Sequence, residues 1–270
     1  MTAPVRTALI TGASSGIGLE LAKQFAQAGC HLVLVARRAD VLRRLADEWT
    51  RAYHVSVICL VHDLTQPSAP EAILNALAHE GLTVDVLVNN AGVGTYGLFA
   101  QSDPRQELAM LQLNIVALTH LTRLCLPGMI ERRDGKILNV ASTAAFQPGP
   151  LMGVYYASKS YVVSFSQALH NELRGSGVTV TALCPGPTAT QFSARAGVTG
   201  TRLFQGRNMS ADTVARAGYR GVMRGQAVVI PGWGNALLAH LVRWLPPSWV
   251  VRGIRSIQRA RRPVHKEATR

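Results

Sequence analysis

The sequence is short of cysteines and has no recognisable metal-ligand pattern. Its four cysteines are Cys30, Cys59, Cys125 and Cys184. They are far apart and lie within apolar runs, so they fit reduced, buried thiols better than a disulfide framework. The eight histidines show no HxH, HxxxH or Cys–His spacing, which argues against a metal site. We therefore expect neither disulfides nor a bound metal.

Charged side chains and long uninterrupted apolar runs are also scarce. Only 16% of the residues are charged and 48% are hydrophobic, so the chain can bury a large core. The apolar segment 236–245 is interrupted by His240 and Arg243 and followed by two prolines, so we expect no transmembrane helix there. A strand is predicted to begin by about Val5, which leaves no room for a signal peptide before it. These absences favour a cytoplasmic protein.

The positive charge is unevenly distributed. The formal net charge is +13, but residues 243–270 alone carry eight Lys and Arg against one acid, Glu267. The first 242 residues carry 20 basic and 14 acidic side chains, so the excess is largely a property of the C-terminal tail. Because no nucleic-acid-reading module accompanies this charge, we do not expect nucleic acid binding.

Apolar, β-rich runs alternate with helical patterns along the chain. The predicted strands are Val5–Ile10, His31–Ala36, Val55–Val61, Val84–Val88, Lys136–Ala141, Val178–Cys184 and Ala227–Ile230. Most of them are continuously hydrophobic, as in strands buried on both faces of a parallel sheet. The predicted helices span about 16–28, 39–53, 68–80, 104–126, 154–174 and 210–223. This repetition predicts an α/β fold, a doubly wound parallel sheet of about seven strands whose ligands bind at the carboxyl ends of the strands.

The first strand–helix connection is a glycine-rich turn, Thr11-Gly12-Ala13-Ser14-Ser15-Gly16-Ile17-Gly18. Its GxxxGxG spacing differs from the common GxGxxG fingerprint. Because the turn follows a strand and opens a helix, its glycines let the backbone approach a pyrophosphate, whose charge the helix N-terminus favours. The turn therefore predicts a dinucleotide site.

The end of the second strand indicates which dinucleotide is bound. An acidic residue at this position binds a ribose 2′-hydroxyl, whereas arginine accommodates a 2′-phosphate. The sequence has Ala36 there, followed by Arg37 and Arg38, so NADP(H) is preferred over NAD(H). The alternative is a solvated helix start, but cations at that end oppose the helix dipole.

Three later segments supply further candidate residues. Asp63 and Leu64 close the third strand, where Asp63 is a candidate to bind the adenine edge. Asn89-Asn90-Ala91-Gly92 closes the fourth strand, and its small residues would let backbone lie against a cofactor. The alternative for this segment is a turn stabilised by its asparagine side chains. Asn114 lies mid-helix among apolar residues, where its amide needs a partner or a water.

The sixth strand ends in Cys184-Pro185-Gly186-Pro187-Thr188-Ala189-Thr190, which opens a polar loop reaching about Met209. A loop that long in a compact domain is more often a mobile lid than a simple connection. We expect substrate specificity to lie in residues 143–153 and 187–209, with an apolar substrate side formed by Leu151, Met152, Phe192 and Phe204.

A tyrosine and a lysine one helical turn apart form the central candidate pair. Tyr155 and Lys159 lie in the segment Val154-Tyr155-Tyr156-Ala157-Ser158-Lys159, with Ser142 a short distance upstream. Residues i and i+4 share a helix face, so the ammonium is predicted to lower the phenol pKa toward working pH. A phenol in that state is usable as a proton donor or acceptor. Tyr156, at i+3 from the same lysine, is the weaker candidate, and a solvated helix edge is the structural alternative.

Over residues 5–230 these motifs together resemble the short-chain dehydrogenase/reductase family. The resemblance rests on TGASSGIG (11–18), NNAG (89–92), Asn114, Ser142, YYASK (155–159) and PGPTAT (185–190). It implies a Rossmann-type sheet and hydride transfer between NADP(H) and a carbonyl or a secondary alcohol. It also implies a homodimer or homotetramer that pairs the helices near 104–126 and 154–174.

The resemblance assigns roles to individual positions. Tyr155 would be the general acid, Lys159 would lower its pKa and bind the nicotinamide ribose, Ser142 would polarise the substrate oxygen, and Asn114 would hold a water. The implied cofactor-binding residues are Gly12, Ser14, Ser15, Gly16, Ile17, Gly18, Arg37, Arg38, Asp63, Leu64, Asn90, Ala91, Gly92, Tyr155, Lys159, Pro185, Gly186, Thr188 and Thr190.

The C-terminal residues 233–270 match no motif of that family and form a basic extension to a catalytic domain at 1–232. Beyond two prolines, apolar and basic positions separate onto opposite faces of a predicted helix. The apolar ones are Val250, Val251, Ile254 and Ile257, and the basic ones are Arg252, Arg255, Arg259 and Arg262. With Trp244 and Trp249 flanking the prolines, one interpretation is peripheral contact of residues 245–270 with an anionic membrane. The other is packing on the core or on a second subunit.

Two hypotheses for function follow. The first is an NADPH-dependent ketoreductase that acts on a hydrophobic, lipid-like carbonyl compound. The second is a cofactor-binding sensor or docking scaffold whose catalysis is incidental. The complete set of Ser142, Tyr155 and Lys159 favours the enzyme.

Overall fold

The computed structural model describes residues 5–202 and 208–258, and its centre is a parallel β-sheet. The strands are β1 (Thr7–Thr11), β2 (His31–Ala36), β3 (Val57–Val61), β4 (Val86–Asn89), β5 (Gly135–Val140), β6 (Val178–Leu183), β7 (Thr188–Ala189), β8 (Met209–Ser210) and β9 (Val228–Val229). Seven of them form one sheet in the order β3-β2-β1-β4-β5-β6-β9, and β7 pairs separately with β8. Every pairing is parallel, which confirms the predicted doubly wound α/β class.

Helices cover both faces of the sheet. They are α1 (Gly16–Gln27), α2 (Ala39–Tyr53), α3 (Ala69–His79), α4 (Pro104–Leu111), α5 (Leu118–Glu131), α6 (Gly153–Glu172), α7 (Phe192–Arg195), α8 (Ala211–Met223), α9 (Trp233–Leu241) and α10 (Pro247–Gln258). A π-helical segment, Gln112–Ala117, joins α4 to α5 without a break. Short 3-10 turns at Phe99–Gln101, Thr143–Phe146 and Val242–Trp244 complete the helical structure.

Two apolar layers sandwich the sheet, and β1 shows how. Ala8 and Ile10 belong to the layer built with α1, α2 and α8, whereas Leu9 belongs to the layer built with α3 and α5. All three side chains are fully buried. Because both faces of each strand are covered, the sequence runs are continuously hydrophobic rather than alternating.

The observed element ends differ from the predicted ones where local geometry interrupts the pattern. β3 begins at Val57 rather than Val55 because His54 has a left-handed backbone, with φ of 55°, at the end of α2. The long helix predicted to end at 126 continues to Glu131, and Pro127 lies inside it. Cys125 and Met129 are buried on either side of that proline, so packing holds the helix despite the missing amide donor.

The continuous helix Pro104–Glu131 is also the most membrane-like segment among the described residues. It has 28 residues, and an 18-residue window within it has a mean hydropathy of 1.3, of which 39% is buried in the protein. Length and composition alone would allow such a helix to cross a membrane, but core helices of soluble proteins pass the same test. Here Leu121, Cys125 and Met129 pack into the layer beside the sheet.

The four cysteines are all free thiols. Cys30, Cys125 and Cys184 are buried as predicted, and Cys59 is only half-buried on β3. Among the described residues no three His, Cys, Asp or Glu side chains are grouped so that they would hold a metal ion.

A chain of buried polar side chains links the middle of the sheet to the helices. The Asn89 amide donates to Asn139 Oδ1 at 2.9 Å and to Thr122 Oγ1 at 3.1 Å. The Asn139 amide in turn donates to Ser166 Oγ at 2.9 Å on α6. These side chains are almost fully buried, so each depends on its neighbour for a hydrogen-bond partner. The chain fixes α6 and α5 to adjacent strands, which is the frame that carries the site described below.

We expect Asn139→Ala to lower the free energy of unfolding by about 2–3 kcal/mol, because it removes an acceptor of Asn89 Nδ2 and the donor to Ser166 Oγ in the interior. Urea denaturation measures this. Asn75→Ala, at an exposed position of α3, is the matched control and should change stability by less than about 0.5 kcal/mol. Equal effects of the two substitutions would contradict the structural role of the buried chain.

Candidate active site

The glycine turn lies at the carboxyl end of β1 and is held by Asn90 from the end of β4. Asn90 Nδ2 donates to the Thr11 carbonyl at 2.9 Å, and the Thr11 hydroxyl accepts from the Asn90 amide at 2.9 Å. A Cβ on Gly18 would lie 2.2 Å from Asn90 Nδ2, and Gly12 has a φ of 65°. Glycine is therefore required at 12 by backbone conformation and at 18 by the close approach of the asparagine.

The first turn of α1 is arranged to receive an anion. Ser15 is the N-cap of α1, yet its side chain makes no capping hydrogen bond, and the first turn has no acidic residue. The amide groups at the start of a helix have no partner within the helix, and its dipole favours negative charge there. Ser14, Ser15 and Gly16 therefore present their backbone to the crevice. The side chain of Ile17 instead packs against the core.

The two arginines after β2 hold different positions around this turn. Arg38 is tied to the turn, with Nη2 donating to the Ser14 carbonyl at 2.7 Å and to Ser14 Oγ at 3.1 Å. Arg37 is more exposed and lies 3.6 Å from Asp63 Oδ2 at the end of β3. Both guanidinium groups are thus placed beside the turn, on the side away from β4.

Asp63 is engaged by the protein itself. Its Oδ1 accepts from the Thr65 amide at 3.0 Å and from the Thr65 hydroxyl at 2.9 Å. Burial opposes ionisation, but these hydrogen bonds and the charge of Arg37 outweigh it and hold the pKa of Asp63 below its usual value. Leu64 is buried in the layer beside α3, so its side chain is directed away from the crevice.

Ser142, Tyr155 and Lys159 come together where β5 and β6 end. Ser142 lies two residues after the end of β5, and its hydroxyl accepts from the Ala144 amide at 3.1 Å and donates to the Pro185 carbonyl at 3.5 Å. Tyr155, in the first turn of α6, is buried and hydrogen-bonds the Ser142 side chain. Lys159 lies one turn further along the helix, with Nζ 5.9 Å from the centre of the Tyr155 ring.

The electrostatics of the pair differ from the prediction. Burial raises the pKa of Tyr155, the Ser142 hydrogen bond opposes that change, and Tyr156 adds to it. Burial also lowers the pKa of Lys159 to about 8, partly offset by the nearby Cys184 thiol. The expected lowering of the phenol pKa by the ammonium is therefore wrong, because burial of the phenol has the larger effect. The lysine points instead at the Val140 carbonyl, to which Nζ donates at 2.8 Å.

Asn114 lies within the π-helical segment and is buried. Its Nδ2 donates to the Val93 carbonyl at 2.9 Å and to Ser158 Oγ at 3.1 Å, and its Oδ1 accepts from the Val93 amide at 3.0 Å. The amide predicted to need a partner thus has three. π-helical turns widen a helix locally and are frequent at functional sites.

The backbone at Gly92 lies close to both Asn114 and Lys159. A Cβ on Gly92 would lie 3.3 Å from Asn114 Oδ1 and 3.4 Å from Lys159 Nζ, so the missing side chain leaves both polar atoms close to this backbone. Two residues earlier, Asn90 holds the glycine turn. The segment from Asn90 to Gly92 therefore spans the distance between the turn and the Tyr–Lys pair, with the Ala91 side chain packed into the core.

The segment after β6 closes the other side of the crevice. The Thr188 hydroxyl donates to the Gly186 carbonyl at 2.9 Å. A Cβ on Gly16 would lie 3.2 Å from the side chain of Thr190, so this segment reaches the start of α1. Pro185 contacts Ser142 through its carbonyl. The segments after β4, β5 and β6 thus lie close to one another and to the glycine turn.

Tyr155 also borders an apolar wall. The ring of Phe192, from α7, is 5.2 Å from the Tyr155 ring centre to centre. Met152 and Tyr156 belong to the same buried cluster, together with Ile254 of α10. Phe204, the fourth residue predicted for this wall, lies outside the described residues.

The C-terminal helix α10 packs over this apolar wall. Gln258 is almost fully buried, donates from Nε2 to the Tyr156 hydroxyl at 2.6 Å, and accepts from the Tyr96 hydroxyl at 2.7 Å through its backbone carbonyl. Val250 is also buried, whereas Ile257 is 42% exposed. Of the two interpretations of residues 245–258, packing on the core is the one that the described residues adopt. Arg259 and Arg262 lie outside them.

Sequence patterns missed three residues that support the site. Ser158 holds Asn114, Thr11 holds Asn90, and Gln258 joins α10 to Tyr156. Gln258 left a signal in the sequence, because it continues the helix face of Val250 and Ile254 at a spacing of four residues. The other two act through contacts between distant segments, which no local spacing reveals.

The chain is similar to a known protein family and to several curated proteins. A family model described as short chain dehydrogenase matches residues 6–199. The very-long-chain 3-oxoacyl-CoA reductase of Anas platyrhynchos is 37% identical over 190 residues, which are 69% of this chain and 61% of the relative. The chain spans about three fifths of the length of such curated relatives.

Two solved structures cover nearly the whole chain. A short-chain dehydrogenase from Sphingobium yanoikuyae in complex with NADPH is 33% identical, with a TM-score of 0.81, over 97% of this chain and 99% of that one. A bulky-bulky ketone specific alcohol dehydrogenase from Comamonas testosteroni is 28% identical, with a TM-score of 0.76, over 99% and 100% of the two chains.

The lowered pKa of Lys159 predicts a specific pH dependence of stability. Between pH 8 and 10 the unfolded chain keeps a proton on Lys159 that the folded chain has released, so the stability contributed by this residue rises with pH. The difference in unfolding free energy between the wild type and Lys159→Met should therefore increase from about pH 8 to pH 10. Urea denaturation across that range measures it. Tyr155→Phe retains the lysine, so its unfolding free energy should rise over this pH range as that of the wild type does. If the difference between wild type and Lys159→Met did not change with pH, the lowered pKa of Lys159 would be contradicted.

Proposed function

Because the chain belongs to the short-chain dehydrogenase/reductase family, we propose that it is an NADP(H)-dependent reductase of hydrophobic ketones. The observation that carries the proposal is the convergence of Ser142, Tyr155 and Lys159 on the crevice that also contains the glycine turn. A proton donor, a polarising hydroxyl and a dinucleotide cradle at one sheet edge are the groups that carbonyl reduction requires.

The cradle fits a dinucleotide phosphate. Gly12 and Gly18 remove the side chains that would block the turn, and the first turn of α1 offers amide groups to a pyrophosphate. Arg37 and Arg38 would receive the 2′-phosphate that distinguishes NADP(H), since arginine binds phosphate with directed, charge-assisted hydrogen bonds. Asn90 to Gly92, together with Thr188 and Thr190, would line the remainder of the cofactor.

In the proposed reaction, bound NADPH supplies a hydride to the carbonyl carbon of the substrate. Negative charge then develops on the substrate oxygen, which Ser142 would hydrogen-bond and Tyr155 would protonate. The raised pKa of Tyr155 keeps its proton in place at neutral pH, which suits the donor in the reductive direction. Lys159, charged below its pKa of about 8, would stabilise the phenolate that the transfer leaves. Asn114, held at the π-helical segment, would position a water that restores the proton.

The substrate class follows from the wall around Tyr155. Met152, Phe192 and Ile254 make this side of the site apolar, which favours a hydrophobic ketone. The names of the relatives point the same way, since one reduces very-long-chain 3-oxoacyl-CoA and another prefers bulky ketones. We therefore propose that long-chain 3-oxoacyl thioesters and bulky ketones be tested first.

The proposed enzyme would act as a homo-oligomer in the cytoplasm. The helix Pro104–Glu131 leaves Leu108 and Val116 exposed, and α6 exposes Tyr161. Pairing these helices between two copies would cover that apolar surface. The exposed residues support the pairing predicted from the family resemblance, and sedimentation of the full chain would establish the number of subunits.

Tyr155→Phe should reduce the rate of ketone-dependent NADPH oxidation by at least about a hundredfold, because the proton donor is lost while the ring packing remains. The matched control is Tyr161→Phe on the same helix, at a partly exposed site, which should retain the wild-type rate. A Tyr155→Phe variant with full activity would remove Tyr155 from the mechanism. Tight NADPH binding by the wild type without turnover on any ketone would favour a cofactor-binding sensor instead.

The double substitution Arg37→Ala/Arg38→Ala should weaken NADPH binding by about tenfold or more and change NADH binding much less, because each lost charged hydrogen bond contributes about 1.5–3 kcal/mol. Fluorescence titration with both nucleotides gives the ratio of their Kd values. Arg44→Ala, at an exposed position of α2, is the control. An unchanged ratio in the double variant would show that the arginines do not select the 2′-phosphate.

A further inference from the structure

An exposed apolar face lies on the C-terminal part of the chain, outside the crevice. We define the α9 face by Trp233, Leu237, Leu238, Leu241, Trp244 and Leu245. The two tryptophans are 85% and 86% exposed, and the leucines are about half exposed. α9 packs on the protein through Ala239, whereas its apolar outer side has no partner among the described residues. An apolar surface of this kind marks an interaction site.

The positive charge of the segment that carries the α9 face favours an anionic partner. No acidic residue occurs between Asp212 and Glu267, while ten Lys and Arg fall in that interval. Arg252 and Arg255, on α10, are exposed because the opposite side of that helix is used to cover the crevice. A segment that combines exposed tryptophan and leucine with an excess of positive charge fits an anionic lipid headgroup layer.

A second copy of the chain fits this surface less well. Pairing two α9 faces across a two-fold axis would bring together two copies of a segment, 213–266, that contains ten basic residues and no acid. Like charges brought close together at an interface oppose association. An anionic membrane instead satisfies both the apolar side chains and the arginines.

We propose that the α9 face binds the surface of anionic membranes, with Trp233 and Trp244 inserted at the headgroup level and the arginines held near the lipid phosphates. The surface differs from the one expected from the sequence. The apolar positions of α10 pack over the crevice, so α9 and the turn after it supply the membrane contact. Ile254 and Gln258 connect the inner side of α10 to the substrate wall, so the bound membrane would lie close to the helix that covers the site.

Flotation of the full chain with vesicles tests the proposal. We expect the protein to float with vesicles of phosphatidylcholine and phosphatidylserine, and not with phosphatidylcholine alone. Leu237→Gln/Leu241→Gln should weaken the partition by at least about tenfold, because two leucines no longer leave water. Val5→Gln/Ile130→Gln, which changes two exposed apolar residues elsewhere, is the matched control and should float like the wild type.

A second variant separates the electrostatic contribution. Arg252→Gln/Arg255→Gln should weaken binding to the anionic vesicles by about tenfold, and this difference should disappear at high salt. NADPH oxidation with a soluble ketone, measured on every variant, reports folding and the proposed activity independently of membrane binding. A protein inactive on ketones that still floats would overturn the proposed function and leave the membrane surface intact.

Three outcomes would overturn the membrane assignment. The first is no flotation of the wild type with anionic vesicles. The second is equal flotation of wild type and Leu237→Gln/Leu241→Gln. The third combines two results: the wild type does not bind vesicles, and sedimentation shows fewer subunits in Leu237→Gln/Leu241→Gln than in the wild type. That result would make the α9 face an interface between copies of the chain.

Discussion

The hydrogen bond from Lys159 Nζ to the Val140 carbonyl fixes the geometry on which the rest of the site depends. It joins the first part of α6 to Val140, the last residue of β5. Ser142 follows two residues later. Because the lysine is buried, its ammonium has few other partners, and the contact sets the position of Tyr155 one turn earlier. The same burial lowers the pKa of the lysine and raises that of the tyrosine. Desolvation therefore has the largest effect on the pKa values of both groups.

The burial of Tyr155 and Lys159 favours one direction of the proposed reaction. A tyrosine whose proton is held at neutral pH suits a proton donor, so the raised pKa of Tyr155 favours the reductive direction of the proposed reaction. The reverse reaction would need the phenolate, which Ser142 and Lys159 favour only to the extent that they outweigh burial. Bound cofactor and substrate would change the balance by displacing water and adding charge.

The two helices of the C-terminal extension differ in what they contact: α10 packs against the protein, and α9 exposes apolar residues at the surface. α10 buries Val250 and Gln258 and packs Ile254 against the apolar wall beside Tyr155, so these residues stabilise the protein rather than reach outward. In α9, by contrast, Ala239 is the buried residue, and the residues of the α9 face are exposed. Their separation by two prolines lets each helix take its own orientation, because proline disfavours a continuous helix. An enzyme of hydrophobic ketones bound at a membrane would meet such substrates where they concentrate.

The sequence alone determined the α/β class, the approximate positions of the seven strands and the location of the motifs at strand ends. Continuous apolar strands and a glycine turn are local features, and parallel strands necessarily gather their carboxyl ends at one edge. Tertiary structure decided the pKa directions of Tyr155 and Lys159, because burial depends on distant segments that cover them. It also decided the placement of α10, since an amphipathic helix shows which face is apolar but not what that face will touch. Long-range packing set both outcomes, and no spacing along the chain encodes it.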